Sequence, residues 1–223
     1  MKTLVVRAWF WWLDYVYVSW WQLRHFLGGR DASRFLSGDR APVLLIPGVY
    51  ETWQFLRPVA ERLHALGHPV HVLSELRYNR LDVPESAALA QAYVEAKDLH
   101  GVLIVAHSKG GLIGKHMMLV DDVTGRIERM TAIATPFGGS VYARYFFVRA
   151  IRAFRPDEPT LAMLNANAEA NARITSIFGV FDPHIPAGSR LEGATNVRLP
   201  VYGHFRLLAD SRVLEAVQRS IRD

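Results

Sequence analysis

Three residues of this 223-residue chain could together activate an oxygen nucleophile. Ser108 lies in Ala106-His107-Ser108-Lys109-Gly110-Gly111. Asp182 directly follows the apolar run Ile174–Phe181, and His204 lies in Val201-Tyr202-Gly203-His204-Phe205. A serine hydroxyl attacks weakly until a base takes its proton. That base is usually a histidine held in its working tautomer by a carboxylate. Of the nine histidines, only His184 and His204 follow the unit around Ser108, because His116 falls inside its helix. His184 stands two residues after Asp182 in a turn bounded by Pro183 and Pro186, so it reads as lining a site rather than serving as base. Asp121 and Asp122 end the helix after Ser108, and Asp157 and Glu158 fall in a Pro-rich insertion. Ser108, Asp182 and His204 remain as the candidate catalytic set for acyl transfer.

The elements that must position them can be read next. Val102 to Ala106 is a continuous, β-branched apolar run, as expected of a strand buried on both faces. A helical pattern begins after Lys109. Strand, sharp turn with Ser at its tip, and helix make a nucleophile elbow. Ala106 and Gly110, two before and two after the serine, are small enough not to collide across the turn. The helix aims its N-terminal N–H groups at Ser108, where an oxyanion would form. The expected oxyanion donors are the N–H of Lys109 and the N–H of Val49, in the Pro47-Gly48-Val49-Tyr50 turn. Gly48 would let the backbone approach a substrate closely. Gly48, Tyr50, Phe137 and His184 are the residues expected to line the substrate site. The Lys109 side chain is directed away from the serine hydroxyl; it either favours an anionic substrate group or is solvated.

Further strands are expected at Pro42–Gly48, Pro69–Leu73, Ile127–Thr135, Arg173–Phe181 and Asn196–Leu199. Helices are expected at Thr52–Leu66 with Thr52 as N-cap, at Pro84–Leu99, and after Asp210, which caps the last one. Strands alternating with helices predict an α/β fold with a mostly parallel sheet covered on both faces. Active sites of such sheets lie at the carboxyl ends of the strands, where all three candidates fall.

Composition sets bounds. Half of the residues are hydrophobic and there is no cysteine, so thiolate chemistry and disulfides are excluded. The net charge of +5 accompanies no zinc-finger spacing and no nucleic-acid signature, so nucleic acid is not an expected partner. His64, His68 and His71 have metal-like spacing, but Gly67 breaks the helix between them. They read as surface or packing residues, and the chemistry needs no metal or cofactor. Five of the six tryptophans fall within residues 9–21. The longest stretch there without charge, Tyr15 to Leu23, is too short to span a bilayer, and Asp14 interrupts the apolar segment. No small-residue cleavage site follows it, so a secretory signal is not expected. Residues 1–40 are therefore read as an aromatic helix and linker preceding a domain at 41–223. The helix either lies at a membrane interface, with Lys2, Arg7, Arg24 and Arg30 flanking it, or packs on the domain or on another copy. The expected location is the cytoplasm, with the inner membrane face as the site of any peripheral contact through residues 9–27. Within the insertion at 137–172, Val141, Tyr145, Phe146, Val148, Ile151 and Phe154 alternate with Arg144, Arg149, Arg152 and Arg155. That pattern predicts a basic amphipathic helix, either a lid over an apolar cleft or an ordinary cap helix.

Four features make the chain resemble α/β-hydrolases of the bacterial lipase and carboxylesterase type: Leu45-Ile46-Pro47-Gly48-Val49, Ala106-His107-Ser108-Lys109-Gly110-Gly111, Ala134-Thr135-Pro136-Phe137-Gly138-Gly139-Ser140, and the late Asp182 and His204. The resemblance runs from about Pro42 to Asp223. It implies an α/β-hydrolase fold and hydrolysis of carboxylic esters; the aromatic helix and basic insertion favour a lipidic ester. Two positions depart from the pattern. Pro47-Gly48 stands where His-Gly is common, and Ala106 where Gly is common. Thioester, amide or acyltransferase chemistry on the same three residues, and a non-catalytic scaffold, are the alternatives.

Overall fold

The computed structural model describes residues 2–27, 31–145 and 148–222. Arg30, Phe146 and Asp223, which the sequence analysis named, lie outside the described residues. Six strands, β1 (Val43–Ile46), β2 (Val70–Val72), β3 (Val102–His107), β4 (Ile127–Ile133), β5 (Ile174–Phe181) and β6 (Thr195–Tyr202), form one sheet in the order β2-β1-β3-β4-β5-β6. Every pairing is parallel. Alternate side chains of the central strands feed two separate cores, as the period of two requires. Leu44, Ile46, Val102, Ile104 and Ala106 enter one. Val43, Leu45, Leu103 and Val105 enter the other. With both faces covered, the strands must be apolar throughout.

The helices are α1 (Lys2–Leu27), α2 (Arg57–His64), α3 (Val83–Ala96), α4 (Lys109–His116), α5 (Arg149–Arg152), α6 (Pro159–Ala166) and α7 (Ser211–Ser220). α3 and α4 cover the first core and α2 and α7 the second. The chain runs from β1 outward to β2, then returns across β1 to β3. That reversal opens a crevice at the carboxyl ends of β1 and β3.

Several boundaries differ from expectation for identifiable reasons. The helix expected from Thr52 is a 3-10 turn at Trp53–Leu56 followed by α2, and Thr52 makes no capping bond. Pro58 lacks the N–H that a continuous ladder would need, so the α-helix starts beside it. α3 starts before Pro84, because Asp82 caps it by accepting from the Glu85 N–H at 2.9 Å. β6 runs on through Pro200 to Tyr202; it is an edge strand, where a missing donor is tolerated. Asp210 does cap α7. The basic amphipathic helix expected across the insertion is not one helix. A 3-10 turn at Val141–Tyr145, an extended Val148, short α5 and then α6 replace it, with Ala143, Ala150, Ala153 and Phe154 buried.

The helix α1 packs on the domain through one face. Trp21 is buried in the second core and Tyr17 and Val18 lie against it. Trp9, Trp11, Trp12, Tyr15 and Trp20 remain exposed on the other side. No described helix is long and apolar enough to cross a membrane.

Candidate active site

β3 ends at His107 and α4 begins at Lys109, which leaves one residue to reverse the chain. Ser108 takes φ 52° and ψ −120° there, a sparsely populated conformation for a residue with a side chain. The strain is held in place by close packing. A Cβ on Gly110 would overlap the Ile46 carbonyl and stand 3.0 Å from the Pro47 oxygen, so α4 lies directly against the end of β1. The turn therefore fits only a small residue two after the serine.

Ser108, His204 and Asp182 come together from three strand ends. His204 Nε2 is 3.0 Å from Ser108 Oγ, and His204 Nδ1 donates to Asp182 Oδ2 at 2.7 Å. Asp182 Oδ1 accepts from the His184 and Ile185 N–H groups at 2.8 and 3.0 Å, which fixes the carboxylate in its turn. Burial pushes Asp182 upward, but the His204 charge and these hydrogen bonds outweigh it and leave it below its usual value. Burial likewise pushes His204 down. The Asp182, Glu51 and Asp14 carboxylates outweigh that and hold the imidazole above its ordinary value.

The loop after β1 has few free donors. The Gly48 N–H donates to Glu51 Oε2 at 2.7 Å and the Tyr50 N–H to the Tyr78 carbonyl at 2.8 Å. Pro47 has no N–H. Val49 is thus the loop residue whose N–H is left for a ligand, and it borders the cleft beside Ser108. Asn79 Nδ2 holds the Pro47 carbonyl at 2.7 Å. The Lys109 ammonium in turn donates to the Asn79 carbonyl at 3.0 Å, to Asn79 Oδ1 and to the Leu81 carbonyl. Lys109 is fully buried, and burial lowers it to about 8. Its side chain is neither solvated nor available to an anionic substrate, contrary to both readings from sequence. It braces the loop opposite the elbow.

A cavity of about 370 Å³ opens on Ser108 and His204. Its walls include Val18, Val49, Tyr50, Phe55, Ile151, Phe154, His184 and Ile185. Tyr50 and His184 line it as expected. His184 is lowered to about 4, chiefly by burial and then by the His204 charge, so it is neutral at pH 7, and its Nε2 has no hydrogen-bond partner. Phe137 and Gly48 do not line it. Phe137 is buried in the first core. The space that Gly48 leaves open is filled by Glu51, whose Oε1 would stand 2.7 Å from an added Cβ. Gly48 serves the approach of that carboxylate, not of a substrate. Of the other histidines singled out by spacing, His68 Nδ1 meets the Ala41 carbonyl at 2.8 Å, His71 Nδ1 meets the Tyr93 hydroxyl at 3.1 Å, and His64 packs edge-on against the Phe35 ring at 5.6 Å.

Three buried groups around the site were missed in the sequence. Glu51 and His107 form a second carboxylate–imidazole pair with the ring nitrogen 2.7 Å from the carboxylate, and His107 Nε2 reaches the His204 carbonyl at 2.9 Å. Asp14, from α1, accepts from the N–H groups of His204, Phe205 and Arg206. The signals were present: an acid directly after the Pro-Gly turn, a histidine beside the serine, and one carboxylate in an otherwise aromatic helix.

No protein-family model matches the chain, and no curated protein sequence matches it. Solved structures do. A Bacillus licheniformis lipase in its mature form is similar with a TM-score of 0.66 at 14% identity, over 82% of this chain and 96% of the other. An extracellular alpha/beta-hydrolase from a Paenibacillus species is similar with a TM-score of 0.59 at 16% identity, over 82% and 100%. Mouse alpha/beta hydrolase domain-containing protein 10 is similar with a TM-score of 0.58 at 13% identity, over 84% and 90%.

Proposed function

The chain has the α/β-hydrolase fold, and from its site we propose that it is a serine hydrolase cleaving carboxylic esters, lipid esters in particular. The observation that carries this reading is the continuous chain of contacts from Ser108 Oγ through His204 to Asp182, at 3.0 and 2.7 Å. Ser108 Oγ attacks the ester carbonyl as His204 Nε2 takes its proton. Asp182 holds the Nδ1–H and stabilises the imidazolium. The oxyanion is received by the N–H groups of Val49 and Lys109, the latter at the N-terminus of α4. Collapse breaks the carbonyl–alkoxide bond, and His204 returns the proton to the departing alcohol. Water, deprotonated by His204, then attacks the acyl-enzyme. The carboxylic acid leaves and Ser108 is restored.

The apolar cleft walls suit an acyl chain, and this supports an ester with a lipidic acid. α1 borders the same cleft through Tyr15 and Val18, and the exposed Trp11 packs against Tyr15 at 5.6 Å. Peripheral contact with a lipid surface through residues 9–27 belongs to the same proposal, because tryptophan and tyrosine favour the interface. The test is labelling by a fluorescent fluorophosphonate, wild type beside Ser108→Ala and His204→Ala. Labelling of the wild type alone is expected, followed by turnover of p-nitrophenyl esters that rises with chain length. A folded wild type that stays unlabelled, with and without detergent, overturns the reading.

A further inference from the structure

Asp14 is the single acid in α1, and it is fully buried. Burying a carboxylate is costly unless its oxygens are satisfied. Here they are satisfied by one short segment. Oδ2 accepts from the His204 N–H at 2.6 Å, and Oδ1 accepts from the Phe205 and Arg206 N–H groups, both at 2.9 Å. These donors open the 3-10 turn Arg206–Ala209, whose first N–H groups have no partner within the turn and no local side-chain cap. Asp14 caps that turn from about 190 residues away.

The segment so capped carries His204. Its N–H is held by Asp14, its carbonyl by His107 and its ring by Asp182. The contact is built from both sides. Gly203 takes φ +106°, and a Cβ there would stand 2.8 Å from Asp14 Oδ1. Phe10, one turn before Asp14, stacks on Tyr202 at 4.6 Å, with the Arg206 guanidinium 5.1 Å from its ring centre. Gln22, two turns after it, donates to the Tyr50 carbonyl at 3.2 Å, in the loop that offers the Val49 N–H.

We propose that α1 is a positioning element of the active site, and that Asp14 is the residue through which it holds the His204 loop in register with Ser108. This rests on the reading of His204 as the general base. Asp14 touches no reacting atom. It acts through the backbone of the base, where a shift of about 1 Å costs roughly 100-fold in rate. It also acts through its charge. The groups facing His204 are Asp182 and His184 from the β5 end, Glu51 from the β1 loop, His107 from β3 and Asp14 from α1. Removing the Asp14 charge takes away one of the carboxylates that hold the imidazole above its ordinary value.

The experiment uses the full chain and a short, soluble p-nitrophenyl ester. Wild type, Asp14→Asn, Asp14→Ala and Gly203→Ala are compared for kcat, KM, pH profile and melting temperature. An asparagine keeps the size but presents an amide donor to one of three N–H donors. The expected result for folded Asp14→Asn is a kcat lowered by about 10- to 100-fold, a KM within about twofold, and an acid limb moved to lower pH. Asp14→Ala falls further. Gly203→Ala keeps the carboxylate but pushes it off the loop, so it lowers kcat as well and carries the test if an Asp14 variant does not fold. A folded Asp14→Asn with the kcat and acid limb of the wild type overturns the proposal, as does Gly203→Ala with wild-type kcat. Fluorophosphonate labelling of the wild type keeps the two readings apart: if it fails, the hydrolase reading falls, whereas a labelled wild type with indifferent Asp14 variants removes only the role of α1.

Discussion

Replacing Glu51 by alanine should destabilise the protein by an amount that follows from its contacts. Glu51 is buried, with 1% exposure, and its carboxylate receives the Gly48 N–H and the His107 ring nitrogen. Alanine leaves both donors buried without an acceptor. Each such orphan costs about 1–3 kcal/mol, so the pair costs about 2–6 kcal/mol. At roughly 2–4 °C per kcal/mol for a chain of this size, the melting temperature should fall by about 5–20 °C. Glu51→Gln keeps an oxygen for Gly48 and should fall between. The assay is thermal unfolding followed by circular dichroism. Ester turnover measured below each variant's own transition should also fall, because the Gly48 anchor aligns the loop that offers Val49. A melting temperature within about 2 °C of wild type for Glu51→Ala would refute the reasoning, since it would mean that neither donor depends on the carboxylate.

Other outcomes follow from the same geometry. His204 must be neutral to act as base and its pKa is raised, so kcat/KM should be lost as pH falls through a value above 6.5; a limb well below 6.5 would contradict the carboxylate cluster around it. Asp182→Asn should lower kcat by about 10³- to 10⁴-fold through the wrong imidazole tautomer, with little change in melting temperature, in a steady-state assay. Gly110→Ala should abolish activity and lower stability by about 1–3 kcal/mol or more, because its methyl overlaps the Ile46 carbonyl; unfolding and turnover measured together check it.

What the sequence carried plainly was local. The β3–Ser108–α4 turn has its signal within ten residues: an apolar β-branched run, a serine, and a glycine, Gly110, where the backbone of β1 presses close. The order Ser108, Asp182, His204 could be read because each follows a strand whose apolar run is visible. Asp14 could not be placed this way. Its partners lie at residues 204–206, and in isolation it reads as a polar break in an aromatic helix. Lys109 reads as solvated or as facing a substrate anion, because a lysine beside a site is ordinarily charged and exposed; only the fold brings the Asn79 and Leu81 carbonyls to its ammonium. Phe137 follows a strand end, yet its ring turns inward to the core, which the spacing alone does not decide. In the insertion, apolar and basic residues alternate as a helix would have them, but periodicity says which side chains go inside and not that the backbone stays helical through Val148.

The clasp between Asp14 and the His204 loop joins residues that a ribosome adds about 190 positions apart. At about 5–20 residues per second, α1 waits about 10–40 s for its partner during synthesis. Throughout that interval Asp14 and Trp21, both buried in the finished fold, lack the surfaces they fit. It also ties the placement of His204 to late synthesis. A translation product ending before residue 206 lacks N–H groups that Asp14 accepts, so the His204 segment is not held in place until they have emerged.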